Sequence, residues 1–331
     1  MDNKHFAIVI LIICLFSLVV GIFTPNKNEE KISTEKFDKS LIMANVENIA
    51  DRIAVLNIDG AISANAIVNQ WSDEFSLDAF LTSIERAKKD KKVKAVIVRI
   101  NSPGGTVAAS QDIYDALMRL REIKPLVISM ADVAASGGYY VASTGDRIVA
   151  QNGTMTGSIG VIFNFMDLAQ LADKIGVTSN VIKSGQFKDS GSMYRKMTPA
   201  EQKLFQSSVD VAYKQFVDDI AEARIKRNDK YNVEKTELTM ENLKKYADGR
   251  IFLGEEAKKL GFVDLIGSQY DAQVVATKMA GYDKLLPMIS YNKVTGLKSL
   301  LMGIENKFAH PIQEMLPFSY KHSLQPLVIW E

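Results

Sequence analysis

Apolar and polar positions divide the chain into three regions. Residues 6–23 read FAIVILIICLFSLVVGIF, 18 positions without a charge, near the shortest length that crosses a bilayer as a helix. No Ala-x-Ala-like site follows in Gly21-Ile22-Phe23-Thr24-Pro25. The run is therefore expected to be an uncleaved signal anchor rather than a removed leader. Residues 24–50 are polar and charged and read as a tether, partly helical over 33–46. From Asp51 the pattern becomes that of a folded domain, expected over 51–284.

Within that domain, strand-like and helix-like periods alternate. Residues 52–59 form a strand ending at Gly60, and 93–100 (VKAVIVRI) form a mostly apolar run suited to a buried parallel strand. Apolar residues at Leu77, Phe80, Leu81, Ile84 and Ala87 have helical spacing. A helix is expected over 107–121, strands over 126–130 and 147–150, and a glycine-broken β segment over 156–162. Further on, the pattern predicts a helix over 168–175, a strand over 179–183 and a long helix over 201–226. Thr198 is the expected cap of that helix and Pro199 its first residue. Short helices over 240–246 and 254–260, a strand over 261–265 and a helix over 268–280 complete it. This βαβα rhythm indicates an α/β fold with a largely parallel sheet. The remainder, 285–331, is punctuated by Pro311, Pro317 and Pro326 and reads as a tail that contacts an oligomer partner or membrane, or stays poorly ordered.

Composition narrows the chemistry. Of 331 residues, 47% are hydrophobic and 24% charged, with a formal charge of +1; no basic stripe of the kind nucleic acid requires is present. Cys14, the single cysteine, lies in the apolar run and excludes an internal disulfide and a Cys-rich metal site. His5, His310 and His322 sit at the chain ends, far from the glycine-rich turns. A His-dependent triad or His-bound metal is disfavoured, and neither metal nor cofactor is expected. Lys4 precedes the apolar run, and Lys27, Lys31, Lys36 and Lys39 follow it. That count leaves membrane orientation open, because long domains translocate largely regardless of charge.

Three glycine-bearing turns follow strands or strand-like segments: 101–105 (NSPGG), 134–138 (AASGG) and 156–160 (TGSIG). In a parallel sheet such turns gather at the carboxyl edge, where α/β folds place their sites. Gly104-Gly105 can serve as a phosphate cradle or as half of an oxyanion hole with Gly137. The nucleotide-binding fingerprints G-x-G-x-x-G and G-x-x-x-x-G-K-[ST] are absent. Ser136 stands where strand gives way to helix, as a nucleophile or merely as an N-cap. With His disfavoured and Cys excluded, lysine is the remaining common base for it, and burial must bring such a lysine toward neutrality. Lys183 and Lys188 both lie near turns, and a carboxylate at Asp189 would oppose that role for Lys188.

These motifs in order resemble the signal peptide peptidase A family, over residues 51–280. They are NSPGG at 101–105, ASGGYY at 135–140, TGSIGV at 156–161, and Lys183-Ser184-Gly185 leading to Phe187-Lys188-Asp189 and Gly191-Ser192. The resemblance implies a Clp/crotonase-like fold of repeated ββα units and a Ser–Lys dyad. It gives Ser136 as nucleophile, Lys188 as general base, Ser158 as the hydroxyl that orients the lysine, and Gly105 and Gly137 as the oxyanion hole. One copy of each motif matches the short, single-repeat form. That form implies both catalytic residues in one chain and a homo-oligomer, an octameric dome among its arrangements. The implied enzyme is a serine endopeptidase on the extracytoplasmic face of a bacterial inner membrane. It would cleave spent signal peptides and other apolar or misfolded translocated polypeptides. Cleavage of one membrane partner such as a stomatin-like protein is the alternative within proteolysis. A non-catalytic membrane scaffold and a crotonase-type acyl-CoA enzyme are the alternatives outside it.

Overall fold

The computed structural model describes residues 50–64, 75–226, 238–291 and 327–329. The expected anchor (6–23), nearly all of the tether, Cys14 and the three histidines lie outside the described residues. No helix among the described residues is long and apolar enough to cross a membrane.

The chain divides into Met1–Ala50 and Asp51–Glu331, and the second unit is built on one eight-stranded sheet. Its strands are β1 (Arg52–Asp59), β2 (Val93–Ser102), β4 (Leu126–Ala135), β5 (Arg147–Ala150), β6 (Met155–Gly157), β7 (Ile251–Leu253), β8 (Leu265–Ile266) and β9 (Met288–Ser290). The main path runs β7-β6-β4-β2-β1-β9, with β5 joining β4 to β8. All pairings in it are parallel except β6 with β7. This is a mixed α/β architecture with a parallel sheet, as a Clp/crotonase-like fold requires.

β4 explains how the sheet presents its site. Residues 127–129 pair with β5, and residues 133–135 pair with β6. The strand changes partner midway and carries its last residues beyond β5. A short strand, β3 (Gly104–Thr106), branches off after β2, bridged on one side by Ile62 and paired antiparallel on the other with β10 (Leu327–Ile329).

The strand period of two separates two cores. Ala54, Leu56 and Ile58 of β1 face one side, with α1 (Leu77–Lys89) and α2 (Val107–Arg121) packed there. Ile53 and Val55 face the other and meet Ala272, Ala276 and Met279 of α8 (Gln269–Met279). Buried ion pairs pin the connections, with Arg121 on Asp146 at 2.6 Å and Arg224 on Asp264 at 2.5 Å. α3 (Gly137–Ala142) follows β4, α4 (Ala169–Lys174) stands in the arm beyond β6, and α5 (Pro199–Ala221) continues into a π-helical turn, Glu222–Lys226. α5 starts with a capping box between Thr198 and Glu201 and has proline in its first turn. α6 (Met240–Tyr246) and α7 (Gly254–Lys259) lead to β8.

Two expected strands differ. Residues 179–183 form no strand; Val181 is half exposed and Ile182 fully so. Their β-favouring side chains find no neighbouring strand. The expected strand over 261–265 shrinks to Leu265–Ile266. Gly261 takes φ 87°, and the Phe262 N–H donates back to the Ala257 carbonyl at 2.8 Å, which ends α7 as a glycine cap. The β segment expected over 156–162 is ordered as strand only through Gly157. β9 takes the sheet's edge from beyond residue 284, pairing Ile53 with Met288.

Candidate active site

Ser136 closes β4 and opens α3 with φ 53° and ψ −118°, far from ordinary N-cap geometry, and its side chain makes no cap bond. Holding a non-glycine residue there costs on the order of 1–3 kcal/mol. The surroundings enforce it: the Ser136 N–H donates to the Gly157 carbonyl and its own carbonyl accepts from Tyr140 N–H, both at 2.8 Å. Ser136 thus holds the N-cap position by its carbonyl alone, and its hydroxyl is not committed to the helix.

Ser158 is brought to the same place. Ala135 pairs with Gly157 in the β4–β6 ladder, so each serine stands one residue past the pair. Ser158 also takes a positive φ, 49°, is buried, and is fixed by its N–H to the Arg250 carbonyl at 2.7 Å.

Gly105 of β3 and Gly137 at the start of α3 meet. A Cβ on Gly105 would lie 1.8 Å from the Ile62 carbonyl oxygen; one on Gly137 would lie 2.6 Å from Ser110 Oγ and 3.1 Å from the Gly105 nitrogen. Only glycine fits this approach of two backbones. Ile62 takes the Gly104 carbonyl and the Thr106 N–H, each at 2.8 Å. By strand alternation the N–H of Gly105 faces the opposite edge. Gly137 opens α3, so its N–H lacks an intrahelical acceptor. The structure thus brings the Gly105 and Gly137 backbones together next to Ser136, with the Gly105 N–H on the edge that β10 occupies. β10 runs along that same edge, with Val328 opposite Gly105.

The two lysines differ. Lys183 is engaged, donating to Asp189 at 2.6 Å and to the Gln186 carbonyl at 3.2 Å. Lys188 is exposed on a run of turns, its N–H on the Gly185 carbonyl at 3.2 Å. Among the described residues no hydrogen bond or ion pair joins Lys188 to Ser136 or Ser158. The fold thus places Ser136 and Ser158 one residue past a paired position and Gly137 against Gly105, and leaves Lys188 on an exposed loop.

The family model of peptidase family S49 matches residues 118–283. A Synechocystis protein named as a protease is 40% identical over 232 residues, 70% of this chain and 76% of its own. An Enterococcus faecium protein bearing the signal peptide peptidase name SppA is 30% identical over 322 residues, 93% of this chain and 90% of its own. The chloroplastic serine protease SPPA of Arabidopsis thaliana is 33% identical over 259 residues, 77% of this chain and 36% of its own. The chain belongs to peptidase family S49. It is a serine protease of the SppA kind.

Around this S49 site lie features that spacing did not reveal. Phe163, Phe165 and Phe205 form an aromatic cluster, with Phe165 and Phe205 centroids 4.5 Å apart. They line a cleft of about 280 Å³ with Val161, Met197 and Val209. Tyr140, four residues after Ser136, stacks on Tyr114 at 5.0 Å and donates to the Asp219 carboxylate of α5. Burial, with that carboxylate, pushes the Tyr140 phenol far up, so it stays a protonated structural donor. On the arm carrying Lys188, Arg195 holds the Asp189 carboxyl well below the usual carboxylate range, with Lys183 adding to it. Arg195 does the same to Glu201, helped by the Thr198 N–H. The signal for this cluster was only a charge pattern among turn residues, which reads as an ordinary solvated surface.

Proposed function

We propose that this S49 protease works by a Ser–Lys dyad. Ser136 is the nucleophile, Lys188 the general base and Ser158 the hydroxyl that orients it. The observation that carries the reading is the uncapped, positive-φ Ser136 beside the packed Gly105–Gly137 pair. An extended peptide takes the place of β10 along β3, with its scissile carbonyl oxygen toward the two glycine N–H groups. Ser136 Oγ bonds to the carbonyl carbon as its proton passes to Lys188 Nζ. The tetrahedral oxyanion collapses, the C–N bond breaks, and Lys188 returns the proton to the leaving amine. Water, deprotonated by Lys188, then hydrolyses the Ser136 ester and frees the enzyme. No step requires a metal or cofactor.

The apolar cleft next to the Ser158 loop suits apolar side chains, in keeping with signal peptides and misfolded translocated polypeptides as substrates. Residues 6–23 anchor the chain in the bacterial inner membrane, with the catalytic domain outside the cytoplasm. The fold repeats ββα units. The arm over 162–194 leaves Met166, Leu171, Ile175, Ile182 and Phe187 exposed. A homo-oligomer, arranged as a dome, covers that arm and gives Lys188 the dry setting a base needs. The test is cleavage of an apolar signal-peptide substrate by folded Ser136→Ala and Lys188→Ala proteins. Both should be inactive; wild-type-like turnover by either overturns the dyad. Faster cleavage of a juxtamembrane segment than of signal peptides would point instead to one dedicated membrane partner.

A further inference from the structure

The charged cluster beside Lys188 takes no part in the steps above. Asp189 is the next residue, and a carboxylate facing the lysine would hold it charged. Both of its oxygens are taken: Oδ1 accepts from Lys183 Nζ at 2.6 Å, and Oδ2 from Arg195 Nε at 2.9 Å. Arg195 Nη2 also donates to the Asp189 carbonyl at 3.1 Å. The guanidinium also grips Glu201, with Nη2 on Oε1 at 2.5 Å and Nη1 on Oε2 at 2.9 Å, and Nη1 donates to the Lys196 carbonyl at 3.2 Å. Glu201 is an immobile anchor, 2% exposed and built into the start of α5 by its capping box with Thr198. Its carboxylate also accepts from Ser190 Oγ at 3.0 Å. The 23-residue helix α5 therefore holds the two residues that follow Lys188. Lys188 itself stands outside every ion pair found among the described residues.

We propose that Arg195 is a positioning residue for the dyad: by clamping Asp189 to Glu201 it fixes the backbone after Lys188 and keeps the Asp189 carboxylate turned away from the Lys188 ammonium. A planar fork suits this task, because one guanidinium must satisfy two carbonyls and two carboxylates at once. The inference rests on Lys188 being the base.

The test uses the full chain with a fluorogenic apolar peptide and compares Arg195→Met, Arg195→Lys, Arg195→Met with Asp189→Asn, and Lys188→Ala. Arg195→Met should lower kcat about tenfold or more, with KM within about twofold of wild type and melting nearly unchanged. Arg195→Lys, which keeps the charge without the fork, should recover part of kcat. Adding Asp189→Asn to Arg195→Met removes the released carboxylate and should raise kcat above the single variant, a rescue that a merely structural role would not give. Wild-type kcat in Arg195→Met overturns the proposal. So does a loss that tracks a rise in KM or a fall in melting temperature and is not relieved by Asp189→Asn. Should Arg195→Met fail to fold, Arg195→Lys alone must show lowered kcat at unchanged KM, or the proposal fails. An inactive Lys188→Ala beside a fully active Arg195→Met refutes the clamp alone; an active Lys188→Ala refutes the dyad and the clamp with it.

Discussion

Adding one methyl group at Gly137 tests the oxyanion hole. The new Cβ would stand 2.6 Å from Ser110 Oγ, 3.1 Å from the Gly105 nitrogen and 3.3 Å from the Gly104 Cα. Ordinary contact begins at 3.4 Å, so the Gly105 nitrogen is 0.3 Å too close and Ser110 Oγ 0.8 Å too close. Ser110 can rotate, giving up its bond to the Thr106 carbonyl at 3.0 Å. The Gly105 backbone, held between Ile62 and β10, can only be pushed aside. Removing one oxyanion donor outright costs about 10²–10³ in kcat, or ~2.7–4 kcal/mol. A displacement of a few tenths of an ångström should cost part of that, about 10–100-fold. Alanine favours the helical position by up to ~1 kcal/mol over glycine, so the fold should not weaken by more than the crowding itself. The assay is kcat and KM on an apolar peptide, with thermal melting alongside. Ser110→Ala added to Gly137→Ala removes the closest contact and leaves the one to Gly105, so activity should stay low. Wild-type kcat in Gly137→Ala, or full recovery on adding Ser110→Ala, would refute the placing of these two N–H groups at the reaction.

Further expectations concern the chain's end and acid. β10 lies along the β3 edge that an extended peptide would use; deleting residues 327–331 should lower KM for peptide substrates, and an unchanged KM would show that the edge is not the peptide's path. Asp189 and Glu201 have folded carboxyls held below their ordinary values by Arg195. Their stabilisation is therefore complete above the unfolded values, about 3.9 and 4.3, and is lost progressively as pH falls below them toward the folded ones. Hydrogen-exchange protection over 183–195, taken relative to the intrinsic rate at each pH, should be flat from about pH 8 to 5 and fall below about pH 4, and the acid-dependent part should vanish in Arg195→Met. A profile with no acid dependence in the wild type would contradict that linkage.

Where packing alone decides, the pattern of residues was informative. The apolar run over 93–100 is the centre of β2, and the helical spacing over 107–121 is α2. Thr198 and Pro199 open α5 as their chemistry requires. Reading failed where partners decide. Val181 and Ile182 have strand-forming side chains but no strand beside them. Phe262 and Val263 are buried by a helix cap, not by a ladder. In the site, the small residues around Ser136 were legible as a tight turn, which by themselves favoured an N-cap; the nucleophile reading came from the ordered motifs, and the φ of 53° and the missing cap bond were beyond the sequence. Choosing between Lys183 and Lys188 by residue type was impossible. The fold engages Lys183 with Asp189, and in doing so occupies the carboxylate that spoke against Lys188. The Arg195–Glu201 contact stayed hidden because it joins turn residues to a helix start through one side chain.

The dyad is tested most directly by the rate at which a serine-reactive acylating inhibitor labels Ser136, followed by intact mass and peptide mapping. Wild type should take one label, on Ser136, and folded Lys188→Ala should label slower by about 10²–10⁴, the usual worth of a positioned base. Equal rates in the two proteins, or a label on another residue, would contradict the account.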